Sequence, residues 1–241
     1  MCTVTYVPFY NGYFLTSNRD EKSTRNKAIL PKEYLLDNVK LIYPKDGDAG
    51  GTWIVLKENG DSLCLLNGAF ENFIDTGNYK ISRGNVVLQI ATENNLVAAF
   101  KNIELINTAP FTLIIVYENQ LFECRWDGEK KYCKVLDNER AYIWSSATLY
   151  DKNTQNKRQD WFIQFLLENN IPSQKDLFYF HTNTGDGDKE NDLLMNRNEQ
   201  YFTVSITGVA VCKNESEMYY QDLKNNDTIC TGFAAEYAKS H

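Results

Sequence analysis

Residues 1–21, Met1-Cys2-Thr3-Val4-Thr5-Tyr6-Val7-Pro8-Phe9-Tyr10-Asn11-Gly12-Tyr13-Phe14-Leu15-Thr16-Ser17-Asn18-Arg19-Asp20-Glu21, decide how this chain is read. Thr3 and Thr5 alternate with Val4 and Tyr6, a turn at Gly12 follows, and Tyr13-Phe14-Leu15 resumes the extended pattern. Alternation of this kind across a glycine predicts a β-hairpin, which returns the Ser17–Glu21 run to the side of residue 2. Methionine aminopeptidases remove Met1 when the second side chain is small, and Cys2 then carries a thiol and a free α-amine on one residue. The amine, with a reference pKa of about 7.7–8.0, accepts the thiol proton, so nucleophile and base are complete without histidine. A first strand residue with a buried sulfur is the competing reading.

Histidine is scarce: only His181 and the terminal His241 occur. Between Phe180 and Thr182, His181 reads as a structural side chain with a satisfied ring rather than a general base. No H-x-x-x-H and no paired C-x-x-C occur, so neither a zinc site nor any other metal or cofactor is expected. The acidic run Asp186-Gly187-Asp188-Lys189-Glu190-Asn191-Asp192 has Asn191 where a calcium loop needs glycine and Arg197 where it needs glutamate, and reads as a solvated loop. Beside residue 2, Asp20 is placed to hold a protonated α-amine and Arg19 to attract a carboxylate or phosphate. A charged turn is the plain alternative. In Asp48-Ala49-Gly50-Gly51-Thr52-Trp53 the consecutive glycines permit close backbone approach or positive φ. Asn67, ending Leu65-Leu66-Asn67-Gly68, offers a carboxamide to a developing oxyanion.

With a formal net charge of −7 and a pI near 5.0, the chain has no basic stripe to neutralise phosphates, and no nucleic-acid partner is expected. The N-terminus lacks the basic and apolar blocks of a signal peptide, and no run approaches a membrane span of roughly 20 apolar residues. The six cysteines therefore read as reduced thiols, and the expectation is a soluble cytoplasmic protein. Further hairpins are predicted around Asn59-Gly60 and Glu118-Asn119, with short strands at KYCKVL and AYIWSS. Helical spacing marks 84–104, with Ser82 as its cap, and about 154–170, with Trp161, Phe162, Phe165 and Leu166 on one face. A shorter helix is predicted after Pro172, capped by Ser173. Two strands, FTVSITGVAVC and EMYYQDL, close the chain. This order predicts an α+β fold with mainly antiparallel pairing, in one domain spanning 1–241.

The ordered set MCT, SNRDE (17–21), AGGTW (49–53), LLNG (65–68) and SRG (82–84) resembles the NRDE-motif family, also called the Transport and Golgi Organisation 2 family. WSSATLYD (144–151), TVSIT (203–207) and MYYQDL (218–223) are similar to the form it takes in bacteria. The resemblance implies a four-layer αββα sandwich of the N-terminal-nucleophile (Ntn) hydrolase type, distantly similar to choloylglycine hydrolases and penicillin V acylases. It implies Cys2 as nucleophile, Asp20 as acidic partner of its amine and Asn67 near the oxyanion hole. Asn18, Arg19, Ser145 and Ser146 are then expected in substrate binding. Two departures stand out: Ser17 where those acylases carry arginine, and Ser145 or Ser146 in place of a second asparagine. The implied activity is hydrolysis of a small acylated or linear amide. The alternative is a non-catalytic carrier of haem, lipid or acyl-CoA on the same scaffold.

Overall fold

The computed structural model describes residues 3–73, 79–213 and 215–234. The opening hairpin forms as predicted: β1 (Thr3–Phe9) and β2 (Gly12–Lys22) pair antiparallel, with Thr3 opposite Asn18. Asn11, at φ 62°, makes the left-handed turn, and Gly12 already belongs to β2. Glycine is needed there for a different reason, since a Cβ would lie 2.1 Å from the Val211 carbonyl oxygen.

One seven-stranded sheet is a meander in chain order: β3 (Ile29–Leu36), β4 (Val39–Lys45), β5 (Ile54–Lys57), β6 (Ser62–Asn67), β7 (Phe111–Tyr117), β8 (Gln120–Trp126) and β9 (Lys131–Leu136). The other runs β10 (Tyr142–Ser145), β1, β2, β12 (Tyr201–Cys212), β13 (Glu215–Asp222) and β14 (Thr228–Ala234). The short β11 (Asn196–Arg197) pairs with β12. All these strand pairs are antiparallel. The sheets stack with β1 against β6, and with β13 and β14 against β3. Helices α1 (Arg83–Ala91) and α2 (Leu96–Asn102) cover the meander, while α3 (Lys152–Glu168) and α4 (Gln174–Asn183) cover the other sheet. The result is the expected layer order, helix–sheet–sheet–helix.

Alternation along β1 shows why two cores form. Val4 and Tyr6 join the main cluster with Leu15, Leu56, Leu63 and Val209, whereas Val7 joins Phe162, Leu177, Phe180 and Leu193 under α3 and α4. Each such buried side chain contributes roughly 1.5–3 kcal/mol. The turn residues behave as their chemistry requires: Glu118 and Asn119 take φ 48° and 58°, the two-residue hairpin geometry, and Gly60 takes φ 85°. Ser173 completes a capping box with Asp176 at the start of α4.

Three expectations are corrected. The 84–104 segment is two helices, because Asn95 caps α2 by accepting the Ala98 N–H at 2.8 Å. The buried Lys57 ammonium ends α1 by donating to the carbonyls of Ala91 (2.8 Å) and Glu93 (2.7 Å). Ser82 occupies the N-cap of α1 but its hydroxyl makes no capping bond. Strands β3, β4 and β14 went unread; the first two are joined through Asp37 and Asn38, at φ 48° and 64°. Among the described residues, no helix is long and apolar enough to cross a membrane.

Candidate active site

Cys2 lies outside the described residues. The chain is described from Thr3, which is clamped from the helical side: the buried Arg158 guanidinium donates to Thr3 Oγ1 at 2.6 Å and to the carbonyls of Asn191 and Asp192 at 3.0 and 2.9 Å. The same guanidinium sits 3.5 Å from the ring centroid of Tyr150. Strand alternation then sorts the Ser17–Asp20 run, all of it buried. Ser17 and Arg19 share the face of Tyr13 and Leu15, while Asn18 and Asp20 face the helical layer.

On that helical face the Asp20 carboxylate accepts from Tyr150 Oη (2.7 Å) and Thr203 Oγ1 (2.5 Å). Asn18 Nδ2 donates to the carbonyls of Leu193 (2.7 Å) and His181 (3.1 Å), and its Oδ1 accepts from His181 Nδ1 (2.5 Å). With Nδ1 protonated, His181 Nε2 accepts from the Thr5 hydroxyl at 2.8 Å. Burial, with the neighbouring Arg158 charge, lowers the His181 pKa to about 3. The ring is a fully satisfied structural group, as its sequence context suggests, and stays neutral at physiological pH.

On the other face Arg19 reaches toward the AGGTW segment. Its guanidinium lies 4.5 Å from the Trp53 ring centroid and bonds Asp46 at 2.6 Å. Asp46 also receives Arg25 at 2.8 Å and the backbone N–H of Ala49 at 2.8 Å. Burial alone raises the Asp46 carboxyl, but the Arg25 and Ala49 bonds and the two guanidinium charges outweigh it and hold the group below the usual carboxylate range. Gly51 and Gly84 meet backbone to backbone: a Cβ on Gly51 would lie 2.4 Å from the Gly84 carbonyl carbon, and Thr52 N–H donates to Gly84 O at 3.2 Å. This contact presses the start of α1 against the 46–53 loop.

Arg19, Trp53, Asn67 and Arg83 thus line one cavity of about 300 Å³. The structure brings Arg19 and Asn67 together there. Ser145 instead lines an adjacent cleft of about 250 Å³ with Leu66, Trp144 and Arg125. Ser146 is buried and donates to the Asn67 carbonyl at 2.8 Å, so it fixes the backbone of Asn67. Trp53, Arg83, Tyr150, Thr203 and Arg158 were not singled out by sequence reasoning. All but Arg158 belong to the quoted motifs, so the signal was present without an assigned role. Among the described residues no group of His, Cys, Asp and Glu is arranged to hold a metal ion.

Comparison with solved structures finds the same architecture in two variants of the conjugated bile acid hydrolase from Clostridium perfringens, each with a TM-score of 0.60 and 12% identity. One alignment covers 95% of this chain and 92% of that one, and the other covers 100% and 98%. A Caenorhabditis elegans ortholog of N-acylethanolamine-hydrolyzing acid amidase follows, with a TM-score of 0.59, 14% identity and coverage of 86% and 92%. At these identities the likeness shows the shared fold alone. No curated protein matches the sequence. The family model described as Transport and Golgi organisation 2 matches residues 1–219, and with nearly the whole chain inside that match, the protein belongs to this family and carries it on an Ntn-hydrolase fold.

Proposed function

We propose that the protein is a cysteine Ntn amidohydrolase acting on a small acylated or linear amide, with Cys2 as nucleophile once Met1 is removed. One observation supports this reading: the opening hairpin sets Thr3 opposite Asn18, the chain neighbour of Arg19, and Arg19 and Asn67 line one cavity together. In the proposed reaction the Cys2 α-amine takes the thiol proton and the thiolate attacks the amide carbonyl. Asn67 and backbone N–H groups stabilise the oxyanion. Collapse returns the proton from the α-ammonium to the departing amine and leaves a thioester, which water then hydrolyses by the reverse proton path. Asp20, a buried carboxylate held by Tyr150 and Thr203, is the proposed partner of the ammonium. Asn18 acts as a support, since its amide is engaged by His181 and Leu193. Ser145 is proposed to contact the substrate from the adjacent cleft.

The carrier alternative gains no comparable support at this site. A cavity of about 300 Å³ walled by Arg19, Arg25, Asp46 and Arg83 suits a short polar substrate better than haem.

The test is intact-mass measurement of the protein against a panel of acyl amides. Wild type should lack Met1 and show an acyl adduct on Cys2 with amine release. A processed Cys2→Ala protein should show neither adduct nor turnover, and Asn67→Ala should lose about 10²–10³ in rate. Full activity in the Cys2→Ala protein would sink the mechanism.

A further inference from the structure

The cavity beneath Arg19 has a charge balance opposite to that of the whole chain. Arg19, Lys22, Arg25 and Arg83 line it against Glu21 and Asp46, four cations to two carboxylates, in a protein with a formal net charge of −7. The three guanidinium groups are held rather than trailing in solvent, and Lys22 is exposed at the rim. Asp46 anchors both Arg19 and Arg25, Trp53 supports Arg19, and Arg83 Nη1 donates to the Pro110 carbonyl at 3.3 Å. Arg83 also opens α1, whose first turn contains no acidic residue and whose Ser82 hydroxyl leaves the N-terminus uncapped. Trp53, only 3% exposed and also on the cavity wall, has an indole N–H without a hydrogen-bond partner among the described residues.

We propose that this cavity binds an anionic group, a carboxylate or phosphate, at one end of the amide substrate, with Arg83 and Arg19 as its principal contacts. The proposal deepens the amidohydrolase reading and rests on it for the word substrate. Held, partly desolvated guanidinium groups are the residues suited to planar carboxylates and phosphates. Asn67 on the same wall places the scissile carbonyl within a few bonds of the anion, which favours compounds of the N-acyl amino acid type.

Calorimetry on the processed Cys2→Ala protein tests this without turnover. The probes share one acyl chain: N-butyrylglycine, its neutral methylamide and N-butyrylphosphoethanolamine. The expected result is binding of at least one anionic probe about tenfold tighter than the neutral one, with the preference shrinking as salt rises. Arg83→Gln should remove most of that preference, and Lys22→Gln, an exposed position, should reduce it less. Comparison of the two anionic probes tells carboxylate from phosphate. Equal affinity for all three probes, or a preference indifferent to salt and to Arg83→Gln, overturns the proposal. Preferential binding without wild-type turnover of any probe would remove the hydrolase reading and leave the anion site standing.

A second site stands on separate observations. Cys124 on β8 and Cys133 on the edge strand β9 are directly opposed in register, with their sulfurs 3.2 Å apart. Cys124 is fully buried, whereas Cys133 is half-buried and accessible at the sheet edge. The bond between them, aided by the Lys101 charge and opposed by burial, lowers the Cys133 thiol to about 7 and, together with burial, drives Cys124 up. We infer that the pair is a reversible dithiol site for peroxide. Cys133 attacks hydrogen peroxide and becomes a sulfenic acid with loss of one water. The Cys124 sulfur then displaces the sulfenic oxygen as a second water, forming the S–S bond.

Mild peroxide treatment followed by peptide mapping should yield a Cys124–Cys133 linked peptide that is two hydrogens lighter and is restored by dithiothreitol. Cys133→Ser should abolish the link and leave Cys124 reduced. If both thiols survive a dose that oxidises the exposed Cys212 and Cys230, or link to other partners, the inference fails.

Discussion

The guanidinium of Arg19 lies over the indole of Trp53, 4.5 Å from its centroid, so two motifs more than 30 residues apart are a single packing unit. Asp46 closes that unit from below at 2.6 Å. Loss of one member of a buried ion pair commonly costs about 3–5 kcal/mol, and Arg25 remains here to pair with Asp46, so Arg19→Met should cost about 2–4 kcal/mol. Trp53→Leu should cost about 2 kcal/mol, combining lost burial with the lost cation–π contact. Equilibrium guanidinium unfolding measures both, and an Arg19→Met cost below about 0.5 kcal/mol, within the range of ordinary surface substitutions, would contradict the packing unit.

Gly51→Ala is a sharper test of how α1 is positioned. Its Cβ would fall 2.4 Å from the Gly84 carbonyl carbon, a backbone atom that cannot step aside. Overpacking of this kind costs typically 1–3 kcal/mol. The expected outcome is a lower denaturation midpoint, with binding at the cavity lost in excess of the stability change because Arg83 moves with the helix start. The matching substitution at Gly187, at φ 94° but with nothing near its Cβ, should show backbone strain alone.

Arg158 secures the start of β1. It is completely buried, and its bonds run to Thr3 Oγ1 and to the Asn191 and Asp192 carbonyls. Arg158→Gln should destabilise the fold by about 3 kcal/mol, because those acceptors are left without their donors. Faster hydrogen exchange at the β1 amides, beyond that of β7 in the meander sheet, is the measurement that reports the local release. Uniform acceleration across both sheets would count against a clamp.

Acid should weaken the protein through His181 before it does so through carboxylates. The unfolded imidazole binds its proton near 6.5 and the folded one only near 3. Between those values the unfolded state holds more protons, so stability is fully present above about 6.5 and falls as pH drops toward 3. The slope approaches one proton, about 1.4 kcal/mol per pH unit. Asp46, lowered from 3.8 by its arginines, adds its own loss only below that value. Unfolding midpoints from pH 7 to 4 should show the histidine slope, and His181→Gln should flatten it.

Local chemistry was legible wherever it acts over a few residues. Turns at Asn59-Gly60 and Glu118-Asn119, the Ser173 capping box and the apolar stripe of α3 follow from backbone preference and period alone. The split between α1 and α2 was only half legible. Asn95 is a plain cap signal, but the Lys57 ammonium that ends α1 comes from a strand 34 residues away from Ala91. β14 lies on the edge of its sheet beyond a polar turn, where no alternating pattern strong enough to stand out marks it.

The sequence by itself determined the hairpin that opens the chain, the antiparallel layers and a set of short motifs whose resemblance named the family. Tertiary structure decided what those motifs are to one another. Asp20 meets Tyr150 and Thr203, Arg19 meets Trp53, Gly51 meets Gly84, and Ser146 meets Asn67. It also sorted Asn18 and Arg19, neighbours in the chain, onto opposite faces of β2, one against a helix and the other at a charged cavity. The reason is that a strand alternates its side chains while its motif is read as a continuous word. Which face each letter takes is set by the register of the sheets packed around it.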